Sequence, residues 1–213
     1  MKLLKSITAK MLAGVTGLVP VIASAALIVT AGNSPQIDDN VLFNPCNSII
    51  SGPALVVTGC FNTAHGQVVQ FTSEENVVVN GGQARIDAND NNGYQQLRIE
   101  VPGETFTSLI LNIKDVSGVG ATVQFTDGTN TLGGFALGNG SNFFTITGGP
   151  FSFIRFDTLI GSSPGDAVED TRQVRIGGVQ RVVAGIPEPG SLALLGLGLA
   201  GFGIARRLKN GRR

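Results

Sequence analysis

Between residues 35 and 185 apolar and polar side chains alternate with a period of two, and no helical apolar stripe runs longer than two turns. Val69 and Phe71 alternate with Gln70 and Thr72, and Leu97, Ile99 and Val101 with Arg98 and Glu100. Leu109, Leu111 and Ile113 alternate with Ile110, Asn112 and Lys114, and the pairs Val123/Phe125, Phe144/Ile146, Ile154/Phe156 and Val174/Ile176 repeat the arrangement. A strand sends successive side chains to opposite faces, so this pattern demands sheets with one dry and one wet face. Asn92-Gly93, Asp127-Gly128, Asn139-Gly140, Asn80-Gly81-Gly82 and Gly148-Gly149-Pro150 supply the backbone freedom that tight reversals need. Roughly ten short strands punctuated in this way predict an all-β domain, an antiparallel β-sandwich of jelly-roll-like type. A β-solenoid is the alternative, given 30 Gly and many Asn. Val69-Gln70-Phe71-Thr72 returns as Val123-Gln124-Phe125-Thr126, and Gln83-Ala84-Arg85-Ile86 is echoed by Gln173-Val174-Arg175-Ile176. Their unequal spacing makes no period, which favours the sandwich.

The formal net charge is zero, with 15 Lys+Arg against 15 Asp+Glu, and charged residues are only 14% of the chain. The balance is a sum over three unlike segments. Lys2, Lys5 and Lys10 stand in an amino-terminal stretch without acids, and Arg206, Arg207, Lys209, Arg212 and Arg213 end the chain. Residues 32–186 keep seven bases against fourteen acids. The middle is acidic, which excludes a basic nucleic-acid binder.

The amino end has the three parts of a secretory signal: a basic start, an apolar stretch from Met11 to Ile22, and Ala23-Ser24-Ala25 as a small-x-small cleavage pattern. Val29-Thr30-Ala31 is a second such pattern, so the signal peptide is expected to be 1–25, with 31 as the alternative end. At the carboxyl end Pro187-Glu188-Pro189 precludes a helix up to that point, and Ser191 can cap one that runs through the uncharged stretch Leu192 to Ala205. In such a helix, 191–205, the uncharged run spans only ~21 Å, short of a ~30 Å hydrocarbon core. With the basic tail 206–213 behind it, this reads as a short transmembrane anchor that leaves the cargo outside.

The order Pro187-Glu188-Pro189, short Gly/Leu-rich helix, Arg206-Arg207 resembles the PEP-CTERM sorting signal of bacterial exported proteins, over 186–213. The resemblance implies processing near the motif by a membrane protease, an exosortase, after export by the Sec machinery. It further implies a cell-surface or matrix destination, often rich in exopolysaccharide. It leaves the activity of the cargo, residues 32–184, undefined.

Cys46 and Cys60 are the only cysteines and both fall in the cargo, so they are expected to form one disulfide. A zinc site lacks ligands, because His65 is the only His and sits in a loop composition. Asp87-Ala88-Asn89-Asp90-Asn91-Asn92-Gly93 places oxygen ligands at alternate positions, as a calcium loop does. It departs from the EF-hand at the sixth place, Asn92 for Gly, and at the twelfth, Arg98 for Glu. Asp87 and Asp90 therefore stand as candidate ligands of a different calcium site, against the plainer reading of a hairpin tip. Tyr94, the single Tyr in a chain without Trp, is expected to be exposed beside that tip and to offer a sugar platform. Carboxylate pairs for glycoside hydrolysis could come from Glu74/Glu75, Glu100/Glu104 or Glu169/Asp170. No Gly-x-Ser-x-Gly elbow is present. The expectation is a non-enzymatic structural or adhesive surface protein without a cofactor. A carbohydrate- or calcium-dependent binding module is the first alternative and a secreted polysaccharide hydrolase the second.

Overall fold

The structure, a computed structural model, describes residues 26–182 apart from 45, 82–83, 117–119, 161–162 and 165–167. The signal peptide (1–25), the sorting motif (187–189), the helix (191–205) and the basic tail lie outside the described residues. Within them no helix is long and apolar enough to cross a membrane.

The described chain is all-β. Its strands are β1 (Ile28–Ala31), β2 (Asp38–Leu42), β3 (Ala54–Phe61), β4 (Val68–Asn80), β5 (Arg85–Ala88), β6 (Gln96–Glu100) and β7 (Glu104–Asp115). There follow β8 (Thr122–Thr126), β9 (Thr131–Ala136), β10 (Ser141–Phe151), β11 (Phe153–Ile160), β12 (Ser163–Pro164), β13 (Val168–Gly177) and β14 (Gln180–Arg181). Every pairing is antiparallel, which excludes the solenoid. The expected pair of stacked sheets takes the form of one hydrogen-bonded sheet with barrel-like closure. Its path runs β1-β10-β7-β13-β2-β3-β4-β6-β11-β8-β9. The two ends of that path approach each other over a groove of about 660 Å³, lined by Ala31, Gly32, Gly134, Phe135 and Phe144 among others. The sheet begins before the expected boundary at residue 32, because β1 pairs with β10 from Ile28 to Ala31.

The alternation read from the sequence is the core pattern. Val69, Phe71, Leu97, Leu109, Leu111, Ile113, Val123 and Phe125 are fully buried, and Phe144, Ile154, Phe156, Val174 and Ile176 are nearly so. Phe125 packs edge-on to Phe135 and Phe156 and lies 5.0 Å from Phe144, ring to ring. Such tilted contacts set the positive ring edge against a negative face. Ile110 and Asn112 break the alternation, since both are buried on the outward face of β7. Asn112 is held there by a hydrogen bond from its Nδ2 to Gln173 Oε1 at 3.1 Å.

Two irregularities shape the closure. In β13, Arg172 pairs with Asn112 and Arg175 with Ile110, so one extra residue sits between them, and Gln173 has φ 54°. This is a bulge. It falls where the other edge of β13 passes from β5 (at 170–172) to β2 (at 175–177). Cys46 and Cys60 form the expected disulfide, which ties the loop after β2 to the end of β3. The chain leaves the barrel through β14, which pairs with the first residues of β7, and Val182 N donates to Gly103 O at 3.3 Å.

Candidate functional site

The candidate residues of the Asp87–Tyr94 segment occupy a corner of the sheet. One edge of β4 pairs with β3, and the other with β5 at 77–80 and β6 at 70–73. Residues 89–95 leave this ladder between β5 and β6. Tyr94 then makes a two-way bridge with Val168, N to O at 3.0 Å each way, while the carbonyl of the next residue, Gln95, accepts Thr158 N at 2.7 Å. A single peptide step therefore carries the chain from β13 to β11.

Tyr94 is fully buried at this corner, contrary to the expectation of an exposed platform. Its hydroxyl donates to Thr171 Oγ1 at 2.6 Å and its ring lies 6.3 Å from that of Phe156. Burial pushes the phenol well above its ordinary value of 10.0. The Asn-rich turn had suggested exposure, but the turn ends one residue earlier, at Gly93. A Cβ at Gly93 would crowd Val116 and the Val168 carbonyl, so the chain can dive inward only with glycine there.

Asp87 lies on β5 directly opposite Asp170, with Arg85 opposite Arg172. Arg85 Nε is 2.9 Å from Asp87, and Arg172 grips Asp170 through both Nε (2.7 Å) and a terminal nitrogen (2.6 Å). Arg85 also lies 3.9 Å from Asp170, whose side chain is wholly buried. Burial, and then the Asp170 charge, raise the Asp87 pKa against the pull of Arg85 and Arg172. Asp90 is exposed and accepts from Asn92 N at 3.0 Å and Asn92 Nδ2 at 2.9 Å, bonds that lower its pKa. Asp87, Asp90 and Tyr94 are thus neighbours in sequence whose side chains serve three different ends. Among the described residues no group of three or more His, Cys, Asp or Glu is placed to hold a metal ion. His65 is exposed in the turn between β3 and β4.

On the β11 side of the corner lies a polar cleft of about 390 Å³, lined by Glu74, Gln95, Gln96, Gln124, Arg155 and Asp157 with Thr158 and Leu159. Gln124, Asp157 and Gln96 stand in one row, in register across β8, β11 and β6. Glu74 fixes the rim, accepting the backbone N–H of Gln95 at 2.5 Å and of Gln96 at 3.1 Å. Arg155 and Asp157 pair at 3.0 Å. Gln95, Gln96 and Gln124 all line the cleft, and no hydrogen bond joins their side-chain amides to another described residue. In the next row Arg98 stands opposite Arg155, pairs with Glu100 and lies 3.5 Å above the Phe153 ring.

Sequence reasoning missed this row. Part of its signal was present as Arg98-Ile99-Glu100 and Arg155-Phe156-Asp157, a base and an acid two apart on one strand face, a pattern that Arg85-Ile86-Asp87 and Asp170-Thr171-Arg172 repeat on β5 and β13. The suggested carboxylate pairs are also bound to neighbours. Glu100 meets Arg98 and Gln70, Glu104 meets Gln67, and Glu169 meets Lys114.

The comparisons with known proteins bear on the carboxyl end. A family model described as the PEP-CTERM protein-sorting motif matches residues 185–207. The chain carries a PEP-CTERM sorting motif. The motif indicates an exported protein that passes through a membrane-anchored precursor and is sorted by an exosortase. The PEP-CTERM match covers Pro187-Glu188-Pro189 and Arg206-Arg207 and stops short of the β-domain. No curated protein and no solved structure matches the chain.

Proposed function

We propose that this is a structural or adhesive component of the bacterial envelope or its exopolysaccharide matrix. In this reading residues 1–25 direct export through the Sec machinery, and the short helix 191–205 holds the precursor until exosortase processing. The β-domain is then delivered to the cell surface or beyond. We read its closure as that of a jelly-roll-like sandwich. The observation that carries the reading is the sorting motif at 185–207, joined closely to an acidic all-β domain. Arg85, Arg98, Lys114, Arg155 and Arg172 pair with acids of the same domain, and the carboxylates Glu100, Glu104, Glu169 and Asp170 are engaged by neighbours. That engagement supports a non-enzymatic role over the hydrolase reading.

The test is processing in a host that encodes an exosortase. Replacing Pro187-Glu188-Pro189 by Ala-Ala-Ala should leave a full-length, membrane-bound precursor and abolish surface release, scored by fractionation and mass. Unchanged release would sink the proposal.

The cleft beside Tyr94 favours a second reading, a carbohydrate-binding module. Its three glutamines and one Arg/Asp pair match the mixed donor and acceptor pattern of sugar hydroxyls. Glycan-array binding that disappears in the double variant Gln96→Ala, Gln124→Ala would establish it. Thermal stability with and without calcium, in the native chain and in Asp87→Ala, tests the calcium-dependent form.

A further inference from the structure

The two small-x-small patterns at the amino end make different predictions about the folded product, and the structure separates them. Leu27 is 5% exposed and belongs to the core cluster. Ile28, Val29, Thr30 and Ala31 pair with Thr147, Ile146, Thr145 and Phe144 of β10. Just past the strand, Gly32 N donates to Phe143 O at 2.7 Å and Thr145 Oγ1 donates to Gly32 O at 2.9 Å. The fit extends to residue 26 itself. Gly148 has φ +111°, and any Cβ there would overlap the Ala26 carbonyl. The lack of a side chain at Gly148 therefore makes room for the backbone of residue 26, two residues ahead of β1.

A cut after Ala31 would remove buried Leu27, the whole of β1 and the Ala26 carbonyl, and would keep only the Gly32 contacts. It would open the edge of β10 from Phe144 to Thr147, an uncharged run with buried Phe144 and Ile146 behind it. Unpaired edges of that character recruit other chains. A cut after Ala25 leaves every one of these contacts in place.

We infer that export processing cuts the Ala25–Ala26 bond, so that the mature protein begins at Ala26 and its first strand is β1. The inference rests on the export reading above. The agent is a signal peptidase, which needs small side chains at the first and third positions before the bond, here Ala25 and Ala23. Water adds to the Ala25 carbonyl, the C–N bond breaks, Ala25 leaves as a carboxylate and Ala26 keeps the nitrogen as an ammonium group.

The experiment expresses the full chain in a Gram-negative host and reads the first residue of the exported product by N-terminal sequencing and intact mass. The free thiols of Cys46 and Cys60 are counted by alkylation as an independent report of export. The expected product starts at Ala26 with both cysteines oxidised. Ala25→Arg should accumulate precursor, and Ala31→Arg, on an exposed β1 position, should still start at Ala26. An oxidised product starting at Gly32, or processing blocked by Ala31→Arg but not by Ala25→Arg, overturns this inference and leaves export standing. An oxidised but uncleaved chain does the same. An uncleaved chain with both thiols free overturns the inference and the export reading together.

Discussion

Tyr94 shows how much one buried polar atom can hold. Its backbone joins β13, its successor joins β11, and its hydroxyl meets Thr171 inside the barrel. Tyr94→Phe keeps the ring and removes the bond, leaving the Thr171 hydroxyl buried at 0% exposure. The expected cost is about 1–2 kcal/mol, read as a lowered denaturation midpoint with an unchanged slope. Because burial holds the phenol well above 10.0, its ultraviolet ionisation should appear only with unfolding on alkaline titration. A phenol that titrates reversibly near 10 in the folded chain would contradict the buried position. The composition made this residue conspicuous and the turn beside it made it look exposed. What the sequence could not show is that Gly93 permits an inward step.

Among the elements, the disulfide and the strand ladders were the most legible parts. Two cysteines in an exported segment have one choice, and the structure joins them at a sequence separation of 14. Replacing both by Ser should lower stability by about 3 kcal/mol in the chain-entropy account of a loop this size, measured by chemical denaturation under oxidising conditions. An unchanged midpoint would show that the β2–β3 loop is held by other means. Period-two alternation placed the apolar faces of β4, β6, β8 and β11 correctly because each faces the core on one side only. It could not assign partners. β13 trades β5 for β2 across a one-residue bulge at Gln173, a residue with no turn signature in the sequence. The cleft was hidden for the same reason, since Gln96, Gln124 and Asp157 meet only through pairing between distant strands.

For the whole molecule, charge sets the response to pH. Burial raises the pKa of Asp38, Asp87 and Asp115 above 3.8. The folded state therefore takes up protons on these groups before the unfolded state does, and stability rises as pH falls from neutrality toward 3.8. Relief of the net negative charge acts in the same direction. Asp90 and Asp127 have the opposite sign. Burial raises Asp127, but hydrogen bonds from Asn130 and Thr129 outweigh it, and those from Asn92 lower Asp90. Their contribution is present above the ordinary carboxylate value and is lost as pH falls through their lowered ones. Thermal melts of the mature chain should show maximal stability in the weakly acidic range, with a decline on both sides. A midpoint that climbs steadily up to neutral pH would contradict these assignments.

The way the chain leaves the barrel constrains the machinery that processes it. The last described bond, Val182 N to Gly103 O, pins the chain five residues before Pro187. Five residues reach at most about 17 Å. An enzyme reading Pro187-Glu188-Pro189 therefore works on a short leash. Arg181, just before that bond, lines a cleft with Gly66, Gln67 and Pro102, so this end of the barrel stands next to the motif. Where processing acts on the folded chain, the β-domain is part of the shape the protease must accommodate, and inserting residues after Val182 should relieve that constraint.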